Sequence, residues 1–143
     1  MSSRFPLVLA LAPLLAGCQV PPPVAASTPR CSVDAGKPML LVNLFFGRSI
    51  HGRGDLMDRE WAEFVDRVVV PMLPDGFTLL DADGAWMNPH TGKTIREHSK
   101  LLIVAMPEGP DSLAAIDRIR EAYKSAFHQQ SVGMTVQPAC GSF

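Results

Sequence analysis

No stretch of this 143-residue chain holds the roughly 18 consecutive apolar residues that a membrane-crossing helix needs, so no segment reads as a bilayer span. Charge of one sign is missing as well. Lys and Arg number 13 against 14 Asp and Glu, a balance that offers no electrostatic footprint for nucleic acid. A Gly-x-Ser-x-Gly elbow does not occur, which removes the serine nucleophile of that type. His51, His90, His98 and His128 lack ligand spacing such as His-x-x-x-His, so they read as surface histidines and imply no metal. Internal repeats are not visible. Cysteine is scarce, with three in the whole chain, and each sits where a role can be read.

What is present begins at the first residues. After Arg4, the run from Phe5 to Gly17 carries no charge and includes Leu7, Val8, Leu9, Leu11, Leu14 and Leu15. Its 13 residues reach about 20 Å as a helix, short of the roughly 30 Å of bilayer hydrocarbon, which fits a signal-peptide core. The following Leu15-Ala16-Gly17-Cys18 resembles the lipobox of bacterial lipoproteins. That resemblance implies cleavage after residue 17, a lipid on Cys18 and attachment to a membrane of the cell envelope through that lipid. Gln19 is not the aspartate that commonly retains such proteins at the inner membrane, so an outer-membrane, periplasm-facing location is expected. A soluble secreted protein with a chance cysteine at position 18 is the plainer alternative.

Residues 18–30 hold Pro21, Pro22, Pro23 and Pro29 among small and polar residues, a composition unable to build a core. At about 3.1 Å per residue such a segment makes a tether of about 35 Å. The remainder, 31–143, is long enough for one domain. Cys31 and Cys140 bracket it. In an oxidising compartment the pair is expected to form a disulfide, closing a loop of about 110 residues and contributing roughly 4 to 5 kcal/mol in the chain-entropy model.

Within that domain Met39 to Phe46 is apolar at nearly every position and flanked by Gly36, Pro38 and Gly47, which predicts a central strand. Gly47 to Asp55 reads as a loop. Met57, Trp61, Phe64, Val65, Val68 and Val69 recur at helical spacing, so a helix is expected over 57–70, started at Asp55 or Asp58 and stopped by Pro71. Pro74-Asp75-Gly76 is a turn, and Phe77 onward is a strand that reverses at Asn88-Pro89-His90-Thr91-Gly92 into a partner from Thr94 to Met106. Pro110 opens a second helix with a stripe of Leu113, Ile116, Ile119, Tyr123, Ala126 and Phe127. Val132, Met134 and Val136 alternate as a last strand.

Strand, helix, strand, strand, helix, strand is the order of a ferredoxin-like α+β fold: a four-stranded antiparallel sheet with two helices on one face. In that topology the first and last strands are neighbours, which brings Cys31 and Cys140 together. The first strand is apolar on both faces, however, and Met39, Leu41 and Phe45 have no helix to cover them. An exposed apolar sheet face of this kind meets a partner, a ligand or a second copy of the chain, and a homodimer through that face is one expectation.

Few residues suggest chemistry. The loop Gly47-Arg48-Ser49-Ile50-His51-Gly52-Arg53-Gly54 lacks the Lys and Ser or Thr of a P-loop, which leaves a mobile loop with anion affinity from Arg48 and Arg53. Asp81-Ala82-Asp83-Gly84 echoes part of a calcium loop, but Leu79 and His90 stand where ligands belong, so it reads as a strand end and no cofactor is implied. If Trp86 pairs near Thr94 in the hairpin, Asp83 faces Glu97 and Asp81 faces Ser99 beside the apolar face, while Trp86, Arg96, His98 and Lys100 gather on the other. Carboxylates so paired raise one another's pKa, which makes Glu97, Asp83 and His98 the candidates for acid–base work. Phe45, Trp86, Arg96 and Ser99 are the candidates for binding. A one-residue slip of register dissolves both groups, and a solvated hairpin tip is the simpler reading.

Leu44-Phe45-Phe46-Gly47, Trp61 with Phe64, Pro74-Asp75-Gly76-Phe77-Thr78, Asp81-Ala82 with Gly84 and Trp86, Glu97-His98-Ser99-Lys100, and Gln129-Gln130-Ser131-Val132 together resemble an uncharacterised family of short secreted bacterial proteins, a domain of unknown function. The resemblance covers about residues 42–143. It implies a domain boundary and carries no catalytic residue. The sequence thus points to an envelope-anchored binding or interaction module. The alternative is a small enzyme of the dimeric ferredoxin-like type, acting on a small molecule with Glu97 and Asp83 as acid and base.

Overall fold

The apolar run of Met39 to Phe46 lies inside strand β1, Lys37–Gly47, in a computed structural model that describes Cys31 and residues 36–143. The expected signal peptide, Cys18 and the proline-rich tether fall outside these residues. A two-stranded ribbon follows, β2 (Ser49–Ile50) and β3 (Gly54–Asp55), then helix α1 over 58–72. The remaining elements are β4 (Thr78–Met87), β5 (Thr94–Met106), helix α2 (Pro110–Phe127) and β6 (Gly133–Gly141).

The four long strands form one antiparallel sheet in the order β4-β5-β1-β6, and with its two helices the fold is the ferredoxin-like α+β arrangement expected from the sequence. Alternation decides the faces. Leu40, Val42, Leu44 and Phe46 of β1 pair with Met106, Val104, Leu102 and Lys100 of β5, and all eight are buried under the helices. Trp61, Phe64, Val69, Ile116, Ile119 and Tyr123 complete the core from α1 and α2. The rings of Phe46 and Tyr123 stand 4.8 Å apart, edge to face, and those of Phe46 and Trp61 5.1 Å apart.

Helix α1 departs from the expected 57–70. It begins α-helical over Asp58–Phe64, where the Met57 amide donates to the Glu60 carboxylate at 3.0 Å, so Met57 rather than an aspartate is the N-cap. It then widens into a π-helical turn, Val65–Val69, and closes over Val70–Met72. The cause is Pro71, which has no N–H to give to the fourth residue back. The widened turn, with the Val70 amide on the Val65 carbonyl, carries the chain past the proline instead of stopping before it. On α2, Leu113 and Ala126 lie outside the core that Ala115, Ile116, Ile119 and Tyr123 enter. The helix ends at His128, whose left-handed conformation (φ 53°) lets its amide and that of Gln129 both reach the Lys124 carbonyl.

Cys31 and Cys140 are joined, S–S 2.03 Å, across 109 residues, at the end of the sheet where β1 begins and β6 ends. Among the described residues every core residue lies within 36–143, and Cys31 is joined to that part through Cys140, so the described domain has a core of its own.

Candidate functional site

The hairpin register decides which candidate residues meet. Trp86 pairs with Ile95, not Thr94, so Asp83 stands opposite His98, Asp81 opposite Lys100 and Gly84 opposite Glu97. The expected carboxylate pair of Asp83 and Glu97 does not form, because the two side chains leave the sheet on opposite faces. Likewise Trp86 parts from Arg96, His98 and Lys100, and Ser99 parts from Asp81 and donates to the Ala82 carbonyl at 3.2 Å. The turn sets this register. Asn88 and Lys93 close a loop in which the Asn88 side chain accepts from the His90 and Thr91 amides, making Met87 and Thr94 the last pair.

A polar cleft of about 330 Å³ lies between the β2–β3 ribbon and this hairpin. Ser49 and Asp55, hydrogen-bonded to each other at 3.1 Å, form one side, and Asp83, Gly84, Arg96, Glu97 and His98 the other. His98 Nδ1 is 2.6 Å from Asp83 Oδ1, which orients the imidazole. Their side chains are 68 % and 82 % exposed, so water bathes the pair and weakens it. Glu97 is half-buried, with its carboxylate over Gly47: a Cβ there would lie 3.5 Å from the nearer oxygen and 3.7 Å from Gln129 Oε1. Gln129, whose Nε2 donates to the Ser49 carbonyl at 2.8 Å, is a site neighbour that periodicity could not reveal, since it lies beyond the end of α2.

On the helix side, Lys100, Arg48 and Arg53 each meet a carboxylate. Lys100, buried at its base, reaches Asp58 at 3.3 Å and bonds Asp81, holding the Asp81 carboxyl below its ordinary pKa. Arg48 binds the Leu56 carbonyl and Asp58 at 3.0 Å each, and Arg53 bonds Glu60, whose carboxyl is likewise held down by that guanidinium and the Met57 amide. Arg48 and Arg53 thus have partners within the chain, and the 47–55 segment is the β2–β3 ribbon rather than a mobile anion-binding loop. Among the described residues no three His, Cys, Asp or Glu side chains come together as a metal site.

The opposite face of the sheet is covered by no helix among the described residues. Toward the hairpin it exposes Phe45 (42 %), Leu80 (47 %), Trp86 (47 %) and Ile95 (36 %), with Leu101 between them. Toward the disulfide end it hollows into a groove of about 810 Å³, floored by Met39, Leu41, Ile103 and Ala105 and walled by Phe77 and Phe143.

The family model described as Protein of unknown function (DUF3574) matches residues 42–143. The chain belongs to this family. No curated protein matches it. Solved structures that share the fold of this DUF3574 domain include two of phage SAM lyase. A phage SAM lyase in complex with S-methyl-5′-thioadenosine is 15 % identical, with a TM-score of 0.53 over 69 % of this chain and 80 % of that one. A phage SAM lyase in the apo state is 12 % identical, also with a TM-score of 0.53, over 80 % of this chain and 97 % of that one.

Proposed function

We propose that this DUF3574 protein is a lipid-anchored, periplasm-facing component of the cell envelope, held at the outer membrane through Cys18, whose folded part binds through its open sheet face and pairs there with a second copy. One observation carries the reading. The row of Phe45, Leu80, Trp86 and Ile95 is exposed on a face that both helices leave bare. Leu80 and Trp86 are six residues apart on one strand, about 20 Å. A two-fold axis across the strands at the middle of that row lays Phe45 and Leu80 of one copy on Ile95 and Trp86 of the other, with Glu97 of each copy over Ser99 of its partner, an apolar contact around a polar centre. Sedimentation of residues 31–143 tests the pairing: a dimer that Leu80→Lys and Trp86→Lys convert to monomer is expected, and a wild-type monomer at every concentration overturns it. Mass spectrometry of the membrane-extracted protein tests the anchor, with acyl groups on Cys18 expected and an unmodified residue 18 counting against it.

A second reading, a small enzyme, draws on the polar cleft. His98, oriented by Asp83, leaves Nε2 as a proton acceptor, with the Arg96 cation beside it. The phage SAM lyases show that enzymes use this fold, and S-methyl-5′-thioadenosine, held in one of them, is the first compound to titrate calorimetrically. This reading expects binding that His98→Ala weakens at least tenfold; absence of heat with the wild type removes it.

A further inference from the structure

The groove at the disulfide end of the open face is separate from the exposed row near the hairpin. Its floor residues Met39, Leu41, Ile103 and Ala105 precede the Phe45 and Leu101 pair along the sheet, whereas Trp86 and Ile95 lie beyond it. At about 810 Å³ it falls within the roughly 300 to 1,000 Å³ of small-molecule sites and is apolar across its floor. Among the described side chains the rim carries one cation, Lys37, one anion, Asp75, and the hydroxyls of Thr78 and Ser142.

We propose that this groove binds a monomeric single-chain amphipath, its acyl chain along the sheet floor and a zwitterionic head between Lys37 and Asp75. Three features favour this occupant. The rim carries balanced charge, so a plainly anionic or cationic head meets one like charge, while a zwitterion meets two opposite ones. The floor is a sheet face and not a sheet edge: its backbone groups are taken by the β1–β5 and β1–β6 ladders. An extended peptide laid there gains no ladder bonds and strands its own N–H and C=O groups on apolar side chains, which argues against a peptide ligand. Phe143 lines the groove yet is fully exposed, an aromatic with apolar surface still to bury; folded over a bound chain it would cover one side.

The proposal rests on the reading of the open face as the binding surface, and not on pairing. Calorimetric titration of residues 31–143 with a palmitoyl lysophosphatidylcholine below its micelle concentration tests it. Saturable binding of one lipid per chain is expected. Ala105→Trp, which fills the floor, should weaken it at least tenfold. Phe143→Ala and Lys37→Glu, both at solvent-exposed positions where folding is not at stake, should weaken it about threefold or more. Sedimentation of the same variants separates the two ideas, since dimers should persist in all three if pairing lies at the hairpin end. No saturable binding by the wild type overturns the proposal. So does equal affinity of Phe143→Ala, Lys37→Glu and wild type, binding to phosphatidylcholine vesicles but not to the monomeric lipid, or tighter binding of palmitate than of the zwitterion.

Discussion

The Tyr123 hydroxyl of α2 donates to the Gly47 carbonyl, the last of β1, at 2.9 Å. It ties the second helix to the strand end over which Glu97 and Gln129 sit. The same burial that protects this bond pushes the phenol up to about 12. Tyr123→Phe should cost about 1 kcal/mol in denaturant unfolding, the net worth of one hydrogen bond in a core that keeps its ring. Because the folded pKa is raised, stability from this group is complete below about pH 10 and falls as pH climbs toward 12. Ultraviolet titration should show no tyrosinate from the folded protein until well above pH 10, and an ordinary phenol titration would contradict it.

Lys100 gives a dependence of the opposite sense. It holds the Asp81 carboxyl below its ordinary value, so the pair stabilises above the unfolded carboxylate's pKa and stops doing so as pH falls through the folded one. Lys100→Met keeps the buried stem and removes the charge. Wild type and variant should differ at neutral pH and converge below about pH 4, as pH falls through the lowered pKa of Asp81 in the wild type. Thermal unfolding across that range measures it; a gap that stays constant would show that Asp81 is not the partner that matters.

Gly36 sits at φ +87°, and a Cβ on it would lie 2.0 Å from the Gly141 carbonyl oxygen. Backbone, not a movable side chain, is in the way. Gly36→Ala should therefore lower stability by about 2 to 3 kcal/mol. Gly141→Ala meets the Met39 sulfur at 2.7 Å and Phe143 Cε2 at 3.3 Å, both on side chains that can rotate aside, so it should cost clearly less. Urea denaturation of the two variants compares them, and equal losses would disprove the distinction.

Removing the disulfide by Cys31→Ser with Cys140→Ser should cost about 4 kcal/mol in the chain-entropy model for a loop closed across 109 residues. Unfolding with and without reductant gives the same comparison without mutation. A loss under about 1 kcal/mol would mean that the reduced chain, even when unfolded, keeps structure that holds its ends close.

The strand order, the doubly apolar β1 and the meeting of Cys31 with Cys140 were all legible because each rests on long runs or on topology. The site was less so, for a local reason. From Arg96 to Ser99 strand β5 is polar on both faces, so hydrophobic alternation there does not choose between registers one residue apart, and the Asn88 turn does. That single step put Asp83 against His98 in place of Glu97. Pro71 misled in a related way, since a π-helical turn lets a helix continue where α-helical geometry would not. Arg48 and Arg53 looked free in sequence because Asp58 and Glu60, their partners, lie on the helix that follows the ribbon.

The cross-link at the sheet's end also governs how the domain carries mechanical load. Tension arriving along the chain ahead of Cys31 divides at that residue, part through the peptide chain into β1 and part through the sulfurs into β6, which are hydrogen-bonded neighbours. With both strands gripped at one end, neither is unzipped from the other. In the reduced protein the same pull would act on β1 alone and peel the central strand from between β5 and β6.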